Sequence, residues 1–149
     1  MRAEVILLSR TNSGRRMICL GRDTSTGEIT AWGGGIKRGE EAHVAASREL
    51  AEESLDIINI SAEDILQNSV LTITTSRTIA FFYEVPLDTV MKFVSMFANK
   101  HNLSASSEMS GVLVMFPEDL MFACSRGAVY DVDAEVFASV KWRTLCASS

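Results

Sequence analysis

No apolar run in the sequence approaches the roughly 20 residues needed to cross a bilayer. The longest, such as residues 112–116, fall far short, so no membrane span is expected. The N-terminus also lacks the order of basic segment, apolar stretch and small-residue cleavage site that marks a secretory leader, because Glu4 interrupts it. A cytoplasmic site is the default expectation, with the nucleus left open. Cysteine is scarce: Cys19, Cys124 and Cys146 are an odd number with no paired short spacing, which argues against a disulfide framework and a zinc site. They read as reduced, structural thiols. Glycine and proline never accumulate into a linker, and no internal repeat appears, so a single domain over residues 1–149 is expected. Positive charge is short as well. A net charge of −5 argues against a general nucleic-acid coating surface, whose binding energy comes from phosphate neutralisation.

That average hides an asymmetry. Arg2, Arg10, Arg15, Arg16, Arg22, Lys37, Arg38 and Arg48 place eight of the 14 basic residues in the first third of the chain. The surplus suits a polyanionic ligand; for Arg15 and Arg16 a solvated strand edge that deters aggregation fits at least as well.

With 47% hydrophobic and 22% charged residues, the composition is that of an ordinary folded domain. β-rich runs at residues 4–9 and 17–21, joined by a turn at 11–14, read as a hairpin, and a strand at 28–32 ends in Gly33, Gly34 and Gly35. From Glu40 to Leu55 the Ala, Glu and Leu content favours helix. A short helix at 62–67 capped by Ser61, paired strands at 69–74 and 78–85, and a helix from Asp88 to Lys100 follow. In the last of these Val90, Phe93, Val94 and Phe97 form an apolar stripe, which reads as core packing. A polar loop at 101–110, a strand at 112–116, a short helix from Pro117 and a final helix at 133–145 complete the chain. This irregular alternation favours an α/β (α+β) fold, a mixed β-sheet with helices on both faces.

The chemistry concentrates on the helix at 40–55. Glu49, Glu52 and Glu53 stand at i, i+3 and i+4, so three carboxylates share one face. Each like-charged pair costs a few tenths of a kcal/mol, and the C-terminal end of a helix disfavours anions further. Such a patch calls for a counter-ion, and Mg2+ or Mn2+ suits it, because hard dications take carboxylate oxygens and leave positions for phosphates. Gly34 and Gly35 would let a backbone approach a phosphate closely. No Gly-Lys-Ser/Thr follows them, which excludes a Walker-type loop.

Gly34, five residues, Glu40, seven residues, then Arg48-Glu49-Leu50-Ala51-Glu52-Glu53 resembles the Nudix box. The seven matching positions would coincide by chance on the order of 10⁻⁸ per starting point, given usual residue frequencies. The family's closing Gly-aliphatic pair is replaced by Leu55 and Asp56, and Gly33 stands where many members have proline. Asp56 tolerates a left-handed conformation better than Leu55, so the helix is expected to end one residue late. The resemblance implies an α/β/α sandwich and a pyrophosphohydrolase. It also implies that Glu49, Glu52 and Glu53, with the Gly33 carbonyl, hold the metal, that Arg48 orients the glutamates, and that Glu40 assists from the helix start. Glu108 is placed by it as the later-loop carboxylate.

Three functions follow as expectations. The first is hydrolysis of a phosphoanhydride in a nucleoside diphosphate-linked substrate: a nucleotide sugar, ADP-ribose, a dinucleoside polyphosphate or a nucleoside triphosphate. The second is mRNA decapping with release of m7GDP from capped RNA, for which Lys37 and Arg38 beside the glycines would form a phosphate track. The third is a silent binding module of the same fold. Trp32 beside the glycines, or Phe82 or Tyr83, could stack on a base, although core packing suits each better. Trp142 reads as a packing anchor. His43 and His101 have no spacing that suggests a ligand pair. Specificity is expected in the loops 11–16, 23–27 and 101–110; the oligomeric state is left open, homodimer included.

Overall fold

The computed structural model describes residues 1–103 and 107–148; residues 104–106, within the expected loop 101–110, lie outside the described residues. Its centre is β1 (Arg2–Arg10), which pairs in parallel with β6 (Thr78–Glu84) and antiparallel with β2 (Arg16–Asp23) and β4 (Trp32–Gly35). β5 (Leu71–Thr74) extends the sheet beyond β6, while β3 (Ile29–Thr30) and β7 (Met109–Met115) both pair with β2. The sheet is therefore mixed, with helices on both faces. Ala3, Val5 and Leu7 point into one core, under α1 (Ala42–Glu53), α2 (Ala62–Asn68) and α3 (Leu87–Leu103). Ile6 and Leu8 point into the other, under α4 (Pro117–Ser125), α5 (Asp131–Phe137) and α6 (Val140–Ala147). Burial on both faces explains why β1 reads as a nearly continuous apolar run rather than an alternating one. Val90, Phe93 and Phe97 are buried as the stripe on α3 suggested, whereas Val94 is exposed. Trp142 is buried and stacks on Phe82 at 5.3 Å between ring centroids.

Several elements differ from the sequence reading. The expected strand at 28–32 is two short strands, β3 and β4, and the glycine run lies within β4, which returns along β1 with Gly33 opposite Glu4. A Cβ on Gly33 would lie 2.3 Å from the Glu4 Cβ, which explains why this strand, unlike most, tolerates glycine. The expected helix at 133–145 is two helices, because Ser139 takes an extended conformation and its hydroxyl accepts from the Lys141 N–H to start α6. Arg16 is not a solvated edge residue; it is 4% exposed, and its Nε and Nη1 lack a hydrogen-bond partner among the described residues. Burial first, and Arg10 second, lower its pKa. Arg15 is half-exposed, lies over the Phe116 ring and pairs with Glu118.

The end of α1 decides where the glutamates sit. The helix does not run on by a residue. Leu55 and Asp56 both take left-handed conformations, with φ of 57° and 63°. Asp56 N–H donates to the Ala51 carbonyl and Leu55 N–H to that of Glu52, the paired closing bonds of a Schellman stop. A leucine in the glycine position costs on the order of 1 kcal/mol. Packing of Leu55 against the α1 core offsets part of it, and Lys100 Nζ donates to the Leu55 carbonyl at 3.2 Å.

Candidate active site

β4 delivers the three glycines to the start of α1, and Arg48 ties that junction together. Its Nε and Nη2 donate to the two oxygens of Glu40, at 2.9 Å each, in a bidentate pair. Nη1 donates to Glu49 at 2.8 Å, and Nη2 also reaches the Gly35 carbonyl at 3.1 Å. Glu40 accepts the Lys37 N–H at 3.0 Å, so one carboxylate fixes both the loop and the arginine. The Arg48 hydrogen bonds first, and the Lys37 N–H second, hold the Glu40 pKa down at about 2. This use of Glu40 explains why α1 starts at Ala42: the carboxylate and backbone around residue 40 serve the loop instead of a first helical turn.

Glu53 lies behind the strand. It is 8% exposed, and its Oε1 accepts the Gly33 N–H at 2.7 Å. Burial pushes its pKa up to about 9, the Gly33 N–H opposes that, and Glu108 and Glu49 add to it as facing acids. Glu49 presses against Gly34, where a Cβ would come within 2.5 Å of its carboxyl carbon. Glu49, Glu53 and Glu108 line one cavity of about 420 Å³ together with Gly33, Gly34 and Gly35. The Glu108 carbonyl accepts the Thr24 N–H at 2.9 Å, which fixes the start of β7 over the cavity.

The remaining sequence candidates fall elsewhere. The Glu52 side chain is 58% exposed, 3.6 Å from Arg48, and outside the cavity wall. Lys37 and Arg38 are exposed and also outside it. Trp32, offered by sequence as a stacking ring or, better, as core, is core: it is wholly buried, its Nε1 donates to the Cys19 carbonyl and its ring packs on Phe93 at 5.0 Å. A tryptophan with both faces in the core has none left for a base. Phe82 is buried, and Tyr83 donates its hydroxyl to Asp64. Asp23 and Thr26 bring the loop 23–27 to the cavity, but nothing of the loop 11–16 lines it.

Arg2, Thr30 and Tyr130 also line the cavity; Arg2 stands in the sequence only as one of eight basic residues suited to a polyanion, and nothing there singles out Thr30 or Tyr130. They come from β1, β3 and the start of α5, so no local spacing links them. Beneath them lies a buried acid pair, Glu4 and Asp133. Asp133 Oδ2 accepts from Thr30 Oγ1 and the Ala31 N–H at 2.9 Å each. Neither Glu4 oxygen, nor Asp133 Oδ1, has a hydrogen-bond partner among the described residues. Burial first, then the facing Asp133 carboxylate, raise the Glu4 pKa well above the ordinary carboxylate range. An acid whose pKa is raised by folding contributes stability that is present below its unfolded value and is lost as pH rises above it. Glu4→Gln removes that loss and offers an amide N–H to Asp133 Oδ1. The variant is expected to be more stable than wild type by about 1–3 kcal/mol at pH 8 and by much less at pH 4. Urea unfolding at the two pH values checks this; an equal difference at both would show that Glu4 is ionised in the folded protein.

The oxygen-only donors and the crowding of acids around a buried Glu53 fit a hard dication in kind and in charge. Among the described residues, however, no three His, Cys, Asp or Glu side chains are gathered closely enough to hold an ion. The three cavity glutamates face a common space without converging on one point.

No family model and no curated protein sequence matches the chain. Solved structures do. A Caenorhabditis elegans Ap4A hydrolase in a binary complex matches at a TM-score of 0.61 and 16% identity, over 100% of both chains. A Deinococcus radiodurans protein matches at 0.55 and 18% identity, over 90% of this chain and 78% of the other. A mutT/nudix family protein from Listeria innocua matches at 0.53 and 18% identity, over 80% and 79%. The chain has the mixed-sheet α+β fold of the Nudix hydrolases.

Proposed function

We propose that the chain is a metal-dependent Nudix pyrophosphohydrolase that cleaves a phosphoanhydride bond in a nucleoside diphosphate-linked substrate. The observation that carries this reading is the cavity itself: Glu49 and Glu53 face Glu108 beside a glycine strand, with Arg48 and Glu40 holding the helix against that strand. A pyrophosphate link is kinetically inert because its anionic oxygens repel an incoming nucleophile, so hydrolysis needs charge screening and a base. Mg2+ or Mn2+ at Glu49, Glu53 and the Gly33 carbonyl, with Glu52 and Glu108 as further carboxylates, would supply the screening and acidify water. Glu53 is the group suited to hold and move the proton, since it is buried and aligned by the Gly33 N–H. Arg48 keeps Glu49 in place, and Glu40 keeps Arg48 in place.

A dinucleoside polyphosphate leads the substrate panel, because an Ap4A hydrolase matches over the full length of the chain. The test incubates the protein and Mg2+ or Mn2+ with diadenosine polyphosphates, ADP-ribose, nucleotide sugars, nucleoside triphosphates and cap-labelled RNA. Turnover of a free nucleotide is the expected result. Release of m7GDP from RNA with no turnover of free nucleotides would move the reading to decapping. Silence on every substrate would leave a binding module.

A further inference from the structure

The charge around the cavity is lopsided. Asp23, Glu28, Glu49, Glu53 and Glu108 line it, against a single cationic side chain among the described residues, Arg2. Asp23 is engaged within its own turn, accepting from the Ser25 and Thr26 N–H groups at 2.8 and 2.9 Å. Cations at the glutamates would screen the part of a phosphate chain near them, but for a phosphoryl group beyond that reach Arg2 is the one positive partner among the described lining residues.

Arg2 is placed and held, its Nε is enclosed, and its terminal nitrogens make no hydrogen bond among the described residues. Its guanidinium carbon lies 5.2 Å from the centroid of the Tyr130 ring. Nη2 is 3.6 Å from the Glu4 carboxyl, too far for a hydrogen bond, and Nε has no partner among the described residues. The backbone on both sides is fixed: Arg2 N–H donates to the Arg77 carbonyl at 3.0 Å, and Tyr130 N–H to that of Ile29 at 2.9 Å. Arg77 in turn pairs with Asp131 and Glu135 at 3.0 Å each, tying α5, and Tyr130 with it, to the turn that leads into β6 beside Arg2. A guanidinium over a ring can still donate through its terminal nitrogens, and two such N–H groups match two oxygens of one phosphate.

We propose that Arg2, seated on Tyr130, is the anion anchor of the cavity and binds the phosphoryl group of a nucleoside di- or polyphosphate that the glutamate-held cations do not reach. The proposal deepens the pyrophosphohydrolase reading and rests on it for the ligand class. It makes Arg2 a binding residue, whose loss weakens affinity more than it slows the chemical step.

The probe is α,β-methylene-ADP, which cannot be hydrolysed at its bridge, titrated calorimetrically with Mg2+ into wild type, Arg2→Gln, Arg2→Lys and Tyr130→Leu. Wild type is expected to bind, Arg2→Gln to bind about tenfold more weakly, Arg2→Lys to recover part of the loss, and Tyr130→Leu to fall between. Should Arg2→Gln not fold, Arg2→Lys and Tyr130→Leu carry the comparison. With whichever nucleotide is turned over, Arg2→Gln should raise KM more than it lowers kcat; a purely structural arginine would lower the melting temperature and leave both ratios alone. Absence of probe binding by wild type, or equal affinity in wild type and the folded Arg2 variants, overturns the proposal. The wild type separates it from the underlying reading: protein that binds the probe through Arg2 but hydrolyses no nucleotide defeats the hydrolase reading and leaves the anchor standing.

Discussion

Glu53→Gln should lower turnover by about 10²–10⁴-fold, the range over which a positioned base contributes, while leaving the fold intact. The substitution keeps the volume of a side chain that is 8% exposed, and the amide oxygen still accepts the Gly33 N–H. Stability should not fall, and the sign follows from the raised pKa. In the cation-free protein, Glu53 has its unfolded carboxylate pKa near 4.5 and a folded one of about 9, so its contribution to stability is lost as pH rises through that window. At pH 8 with EDTA the glutamine variant should therefore be as stable as wild type or more so, by up to a few kcal/mol. Addition of Mg2+ should raise the melting temperature of wild type and not that of the variant. Near-normal turnover in Glu53→Gln would refute the site, and a large loss of stability in EDTA would show that Glu53 is an ionised structural partner.

The acidic face of α1 could be read from the sequence because everything it needs is local. Glu49, Glu52 and Glu53 are fixed relative to one another by helical period, and Arg48 and Glu40 lie within one loop and two turns of them. That logic has a limit at Glu52 and Glu53: period alone cannot say which of two adjacent carboxylates turns inward, and tertiary packing buries Glu53 and leaves Glu52 in solvent beside Arg48. At Trp32 it leaves base stacking open beside the favoured core packing, since an aromatic beside a glycine run looks alike whether its ring faces a ligand or, as here, Phe93 and Phe97. The opposite wall of the cavity leaves little trace in the sequence, where Arg2 counts only as one of eight basic residues in the first third of the chain. Arg2 and Tyr130 meet across 128 positions of chain, as do Glu4 and Asp133 across 129, and each is an ordinary residue in its own neighbourhood. Only the register of β1 against β4 and the docking of α5 bring them together.

The three glycines should separate stability from activity, because a methyl group meets something different at each. Gly33→Ala would place its Cβ 2.5 Å from the Ala3 carbonyl oxygen and closer still to Glu4, so backbone must move; overpacking of this kind costs about 1–3 kcal/mol. Gly35→Ala meets nothing within 4 Å and should stay within about 0.5 kcal/mol of wild type. Gly34→Ala differs from both. Its Cβ would fall 2.5–2.6 Å from the Glu49 carboxyl group, the far end of a flexible side chain, which can swing aside at little cost in stability. That swing takes Glu49 off the cavity and strains its 2.8 Å bond to Arg48. A displacement of about 1 Å at such a position costs on the order of 10²-fold in rate. Thermal melts should therefore rank Gly33→Ala lowest, with Gly34→Ala and Gly35→Ala near wild type. Initial rates, taken well below every melting point, should show Gly34→Ala about 10²-fold slow despite its stability. If Gly34→Ala keeps its rate, Glu49 need not lie against the strand, and the arrangement of carboxylates proposed for the site is wrong.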